Sequence, residues 1–421
     1  MERTAAAPIA RARPLLPMIP RTTQACKART AAAAPLLRLL AACAASLALY
    51  ALLFGWVLDR PLAYGFLRRE IALKLARGTA VGSPKLVILA GSNGSYSHRC
   101  ETIEPIVGLP CVNGGLVVGI GLDYLFTRWE RRLHPGDVVY LPMEEAQYGR
   151  SRAATDLGPD ASIMFRHDWR TLARLPPDRW VAALFSFDLR YALMALIERA
   201  LVAGGFDDPR AGAEGYTDAW GDHTGHTPAL GAPYRAVLAH AHPFHATVAE
   251  VETGYGTKLI VQFLRWARAH GVRAIGGLPT EFIDSPMHPA TRRAIAALYR
   301  ANGAAFLELP NRSLYPRADF FDTPDHLSEP WQIVQSVAVG DALRRMLDRA
   351  SARRPGASNP GANDAGTSNP GINNPRANKP GIATRRIVSL RIAGAAFPSV
   401  PFSPGPPVPR PSVPRPPAPR Q

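Results

Sequence analysis

The sequence predicts an α/β domain: a parallel sheet covered by helices on both faces, broken by a helical insertion and preceded by one transmembrane helix. Three observations carry this. Short apolar runs alternate with stretches of helical periodicity through the middle of the chain. One long uncharged apolar run precedes them, and a low-complexity segment follows them.

The uncharged run is LLAACAASLALYALLFGWVL, residues 39–58, which is the length a helix needs to cross a bilayer. Arg38 and Asp59 bracket it, and Trp56 sits at its end as an interfacial aromatic does. Residues 1–38 carry seven basic side chains against Glu2, so they read as a basic cytoplasmic arm with everything after the anchor exported. The bulky end Trp56-Val57-Leu58 favours a retained anchor over a cleaved leader. Leu40-Ala41-Ala42-Cys43 resembles a lipoprotein box, but the apolar run continues well past Cys43. The expected location is therefore a bacterial inner membrane, crossed once, with the main domain periplasmic.

The net charge of +16 does not indicate nucleic acid. About +6 belongs to the first 38 residues and about +9 to the segment from Ser351, which leaves the centre near neutral. A nucleic-acid domain carries its own basic face. The expected partner is the membrane. Cys100 and Cys111 fall in the exported part, where they are either an oxidised pair or two buried thiols.

Within the domain, 80–350, five strands are expected in order. They are Leu86 to Ala90, Cys111 to Gly115, Val138 to Leu141 after the Pro135-Gly136-Asp137 turn, Val272 to Ile275, and Ala305 to Leu309. Helices are expected at 259–270, stopped by Gly271, at 289–302 and at 330–347. The stretch from about 150 to 255, rich in Trp, Tyr and His, reads as the insertion at the carboxyl end of the sheet, where such folds bind ligands. Residues 351–421 read as a disordered Pro/Asn/Gly-rich tail that cannot bury enough apolar surface to offset its chain entropy.

Two motifs carry chemistry. Ala90-Gly91-Ser92-Asn93-Gly94 presents a serine on a tight turn after the first strand, where a nucleophile or a helix cap belongs. Asp322-Thr323-Pro324-Asp325-His326-Leu327 sets two acids before a histidine that could take a serine proton. Asp222-His223-Thr224-Gly225-His226 and the cluster His240, His242 and His245 fit no standard zinc spacing, so no metal and no cofactor is expected; they read as surface or substrate-contact histidines. Glu144 and Glu145 are neighbours, and on a strand at most one of them reaches the site.

These residues resemble the SGNH (GDSL-like) hydrolase superfamily. Ala90-Gly91-Ser92-Asn93 resembles its Gly-Asp-Ser-Asn block, Asn113-Gly114-Gly115 its second block, and Asp322 to His326 its last. The nearest look is to membrane-anchored members of bacterial surface-polysaccharide and cell-wall acylation systems. The resemblance implies a three-layer, flavodoxin-like sheet. It implies Ser92 as nucleophile, His326 as general base and Asp322 as its orienting acid. It assigns the oxyanion hole to Ser92 and Gly115, with Asn113. The implied activity is that of a serine esterase or O-acyltransferase working on acyl, foremost acetyl, esters of an exported polysaccharide beside envelope assembly proteins. The third block's asparagine is missing at Leu141-Pro142-Met143-Glu144-Glu145, and Asp322 lies four residues before His326 rather than three. These departures raise the competing expectation of a non-catalytic binding or scaffold protein. Ala90-x-Ser92-x-Gly94 also mimics the nucleophile elbow of α/β-hydrolases, a fold that places its elbow after several strands.

Overall fold

The computed structural model describes residues 24–58, 62–152, 168–185 and 216–352, with a few positions between 196 and 205. Most of the basic arm, part of the insertion and the tail beyond 352 lie outside the described residues.

Helix α1 (Gln24–Leu58) contains a 20-residue window, Ala34–Leu53, of mean hydropathy 2.1 with none of it buried. It is long and apolar enough to cross a membrane. Helix α2 (Leu62–Ala80) follows after three residues. It belongs to the domain, although the sequence reading started the domain at 80. Leu67, Ile71 and Leu75 recur at helical spacing and are buried in the core.

The sheet contains β1 (Leu86–Ile88), β2 (Cys111–Asn113), β3 (Val138–Leu141), β6 (Arg273–Gly276) and β8 (Ala305–Phe306), all parallel, in the order β2-β1-β3-β6-β8. Each expected strand is present. Counting only these five, the order is 2-1-3-4-5. The direction of winding reverses beside β1, and the crevice between the carboxyl ends of β1 and β3 is where such sheets bind ligands.

Successive side chains on a strand face opposite ways, and here both ways are covered. Leu86, Ile88, Tyr140 and Ile275 pack with Cys100 and Ile103 of α4 (Cys100–Val107) and with Val339 and Leu343 of the closing helix (Glu329–Ala352). Val87, Leu89, Val139 and Leu141 pack against the other layer. That layer comprises α2, α5 (Leu122–Glu130), the helix Tyr255–Ala269 and the helix Pro289–Ala301. On Tyr255–Ala269 the buried positions Gly256, Ile260, Phe263, Leu264 and Ala267 form one stripe, and Gly271 ends the helix at φ +68°. Truncating Phe263 to alanine in such a layer costs about 3–5 kcal/mol.

The Pro135-Gly136-Asp137 turn sets the register of the two central strands. Gly136 takes φ +95°, and buried Asp137 accepts from the Lys85 and His134 amides at 3.0 and 2.9 Å while pairing with Lys85 Nζ at 3.0 Å. On the other side of β1, Cys100 and Cys111 form a disulfide that ties α4 to β2.

Among the remaining described elements are α3 (Ser92–Ser97), α6 (Glu145–Gly149), the small hairpin β4 (Tyr216–Thr217) with β5 (His223–Thr224), and the parallel pair β7 (Glu281–Phe282) with β9 (Leu314–Tyr315).

Candidate active site at the carboxyl edge of the sheet

Strand β1 ends in Leu89-Ala90 and the chain turns directly into α3. Gly91 is the N-cap residue and Ser92 the first helical one, so the Ser92 hydroxyl is not spent on capping. Gly91 must lack a side chain, because a Cβ there would collide with the Glu144 carboxylate. Gly94 and Gly115 likewise let two backbones meet, a Cβ on Gly94 lying 3.0 Å from Gly115 Cα. The three serines of α3 separate by burial. Ser95 and Ser97 are buried and bonded inward, to the Gly115 carbonyl at 3.0 Å and to Thr280 Oγ1 at 2.8 Å. Ser92 is only half-buried.

Glu144 and Glu145 diverge, as expected, but through a helix start rather than through strand alternation. Glu144 caps α6, while Glu145 is its first residue. Glu144 Oε1 accepts from Ser92 Oγ at 3.2 Å and from the Asn93 amide at 3.0 Å. Burial raises the Glu144 pKa above the usual carboxylate value, although these donors and nearby His326 oppose the shift. Glu145 turns the other way, toward His245 and the Ala246 amide.

Of the two acids before the histidine, Asp322 is the one that holds it. His326 Nδ1 lies 2.7 Å from Asp322 Oδ1. The Asp325 carbonyl instead accepts from Ser97 and Thr280, and burial raises its carboxyl well above the usual range. Burial depresses the His326 pKa, but Asp322, Glu144 and Asp325 together outweigh it and hold the imidazole above the ordinary histidine value. The His326 ring stacks on Tyr96 at 3.9 Å between centroids and 7° between planes. Tyr96 is four residues after Ser92 on α3, hence on the same helical face. Ser92 and His326 thus share two neighbours, Glu144 and Tyr96, while the Ser92 hydroxyl bonds to Glu144.

The histidines of the Asp222–His226 motif belong to this cluster. His223 stacks on Tyr96 at 4.1 Å. Two rings this close cannot share one face, so His223 and His326 take opposite faces of the tyrosine. His226 approaches its edge at 5.1 Å. Burial first, then neighbouring cations, lowers His223 to about 2 and His226 to about 4, so both are neutral near pH 7.

The remaining residues named for the oxyanion hole are committed internally. Asn113 Nδ2 donates to the Gly94 and His98 carbonyls and to Asp222 Oδ1, and its Oδ1 accepts the Gly115 amide at 3.1 Å. Beneath them lies a residue the sequence reading missed. Lys74 of α2 is almost fully buried and bonds to Ser95 Oγ, the Gly115 carbonyl and Glu70. A lysine just past a membrane anchor reads as surface charge. Its place in the Leu67, Ile71, Leu75 stripe was the available signal.

Among the described residues, no cluster of His, Cys, Asp or Glu suits a metal ion. Set beside known proteins, the chain matches no family, no curated protein and no solved structure.

Proposed function

We propose that this protein is an exported, membrane-anchored serine hydrolase or acyltransferase of the SGNH type, with Ser92 as nucleophile. The observation that carries the reading is the Asp322–His326 pair at 2.7 Å, stacked one helical turn beyond Ser92 at the switch point of the sheet. The strand order 2-1-3-4-5 and the two helical layers agree with the three-layer fold that the sequence resemblance implies.

In this mechanism a rotation of about 120° about the Ser92 Cα–Cβ bond swings Oγ from Glu144 toward His326. Such bonds are often unformed before substrate binds. His326 Nε2 takes the hydroxyl proton as Oγ attacks an ester carbonyl. Asp322 fixes the tautomer through Nδ1–H and stabilises the imidazolium. The proton passes to the departing alcohol, leaving an acyl group on Ser92. Water then gives an esterase and a sugar hydroxyl a transferase. Of the two amides assigned to the oxyanion hole, Gly115 is engaged by Asn113 and Ser92 by the Glu144 carboxylate, so substrate must displace these acceptors before either amide can donate. Acyl, foremost acetyl, esters of an exported polysaccharide are the substrates the resemblance favours. The disulfide and the arginine-rich arm support an exported domain with a cytoplasmic N-terminus.

One observation favours a second reading, a non-catalytic binding or scaffold protein: the Glu144 carboxylate already occupies both the Ser92 hydroxyl and the Asn93 amide. Fluorophosphonate labelling of the full chain in detergent, with the modified peptide mapped, decides between them. Labelling of Ser92 that disappears in His326→Ala supports the enzyme. An unmodified Ser92 in folded protein, with Ser92→Ala complementing a deletion strain fully, leaves the scaffold.

A further inference from the structure

Beside this site the fold assembles a second serine, histidine and carboxylate. Their residues are 40 and 100 positions apart in the chain. We propose that Ser285, His245 and Glu145 form a separate acyl-transfer centre for small esters that carry an anionic group. His245 Nδ1 lies 2.8 Å from Glu145 Oε1, and His245 Nε2 lies 3.2 Å from Ser285 Oγ. Glu145 is held in turn by the Ala246 amide on Oε2 at 2.8 Å. With Nδ1–H donated to the carboxylate, Nε2 is the acceptor for the serine proton.

Each group is fixed by a different element. Glu145 opens α6 after β3, and Ser285 closes a turn after β7 by donating its amide to the Phe282 carbonyl at 3.1 Å. His245 precedes the helix Val248–Thr253. Unlike Ser95 and Ser97, Ser285 is only half-buried, and the His245 side chain is 31% exposed. The pair is therefore open to a ligand.

A cavity of about 270 Å³ opens against His245 and Pro286, the residue after Ser285. Met287 and Leu314 give it an apolar wall, and Arg292 and Arg312 line it as well. Arg292 reaches Glu308 at 3.4 Å, whereas the Arg312 guanidinium has no partner among the described residues. This volume suits a short acyl chain, and an unpaired guanidinium suits a carboxylate or phosphate on it.

Ser285 Oγ bonds to the acyl carbon as its proton moves to His245 Nε2. The ester C–O bond breaks, and the alcohol leaves with that proton. Water reverses the sequence, releasing the acid and restoring Ser285. This centre stands independently of Ser92.

The test uses the full chain in detergent carrying Ser92→Ala. A fluorophosphonate should modify Ser285, and Ser285→Ala should remove that label. His245→Gln should slow labelling of Ser285 about 10²-fold, the usual size of a general-base contribution, while leaving Ser92 labelling unchanged in the wild-type background. With nitrophenyl esters, Arg312→Asn, a residue that tolerates the φ of +57° found there, should raise KM about tenfold for the succinate ester and leave the acetate ester unchanged. A folded Ser92→Ala protein that leaves Ser285 unmodified, or a Ser285 label indifferent to His245→Gln, overturns the proposal. Peptide mapping keeps its failure separate from that of the Ser92 reading.

Discussion

The Ser92 and Ser285 clusters flank the carboxyl end of the same strand, β3, and each lacks what the other has. Around Ser92 the scaffold is complete: a glycine-lined turn, a buried sheet on either side and a histidine clamped by Asp322. Yet the serine bonds to Glu144. Around Ser285 the three side chains are already linked, but they stand on short segments outside the main sheet. Rigid placement and a connected proton path are thus separate properties of a site. The first is set by strand ends and packing, the second by which acceptor a hydroxyl finds.

The sharpest way to test that contrast is to cut the proton path at His326. Asp322→Asn should slow Ser92 modification about 10⁴-fold at neutral pH by releasing the tautomer, and Asp325→Asn should slow it much less. The same variant has a pH signature. Labelling requires neutral His326, whose pKa stands above the ordinary value chiefly because of Asp322. The rate should therefore rise with pH through a midpoint above about 6.5, and Asp322→Asn should move that midpoint downward. An unmoved midpoint would mean another group limits the reaction.

Next in size is the floor of the Ser92 site. Lys74→Ala leaves Glu70 facing a buried gap and should cost about 3–5 kcal/mol in denaturant melts. Reducing the Cys100–Cys111 disulfide should cost about 2–4 kcal/mol and soften the Ser92 side, which α4 and β2 support, while sparing the Ser285 label. Smallest is Gly91→Ala, at about 1–3 kcal/mol, because the new methyl must displace the Glu144 carboxylate. If Gly91→Ala raised Ser92 reactivity, Glu144 would be a restraint on the serine.

The sheet was legible because buried parallel strands are continuous apolar runs, as in Leu86 to Ala90 and Val138 to Leu141. The Asp322–His326 pair was legible because both partners lie in one turn. That at most one of Glu144 and Glu145 reaches the site was also legible, but not that it is Glu144, since its partner Ser92 is separated from it by 52 residues. Ser285 was invisible, and so was the grouping of Glu145 with His245, for the same reason: only the fold brings them together. Helix α2 escaped because Arg68, Arg69, Glu70, Lys74 and Arg77 dilute its apolar stripe, so the one local sign that Lys74 turns inward, its place among Leu67, Ile71 and Leu75, is masked.

Helix α2 also sets how far the domain can travel. Three residues separate it from α1 and span at most about 10 Å when fully extended. With α1 in the bilayer, there is no slack to pay out. Lys74 bonds α2 directly to the floor beneath Ser92, so a bilayer crossed by α1 would hold the domain close to the lipid surface. A soluble fragment cut at residue 80 would lose Leu67, Ile71 and Leu75 from the core and leave Ser95 and the Gly115 carbonyl short of a donor. Any shed form that keeps the site must be released between α1 and α2.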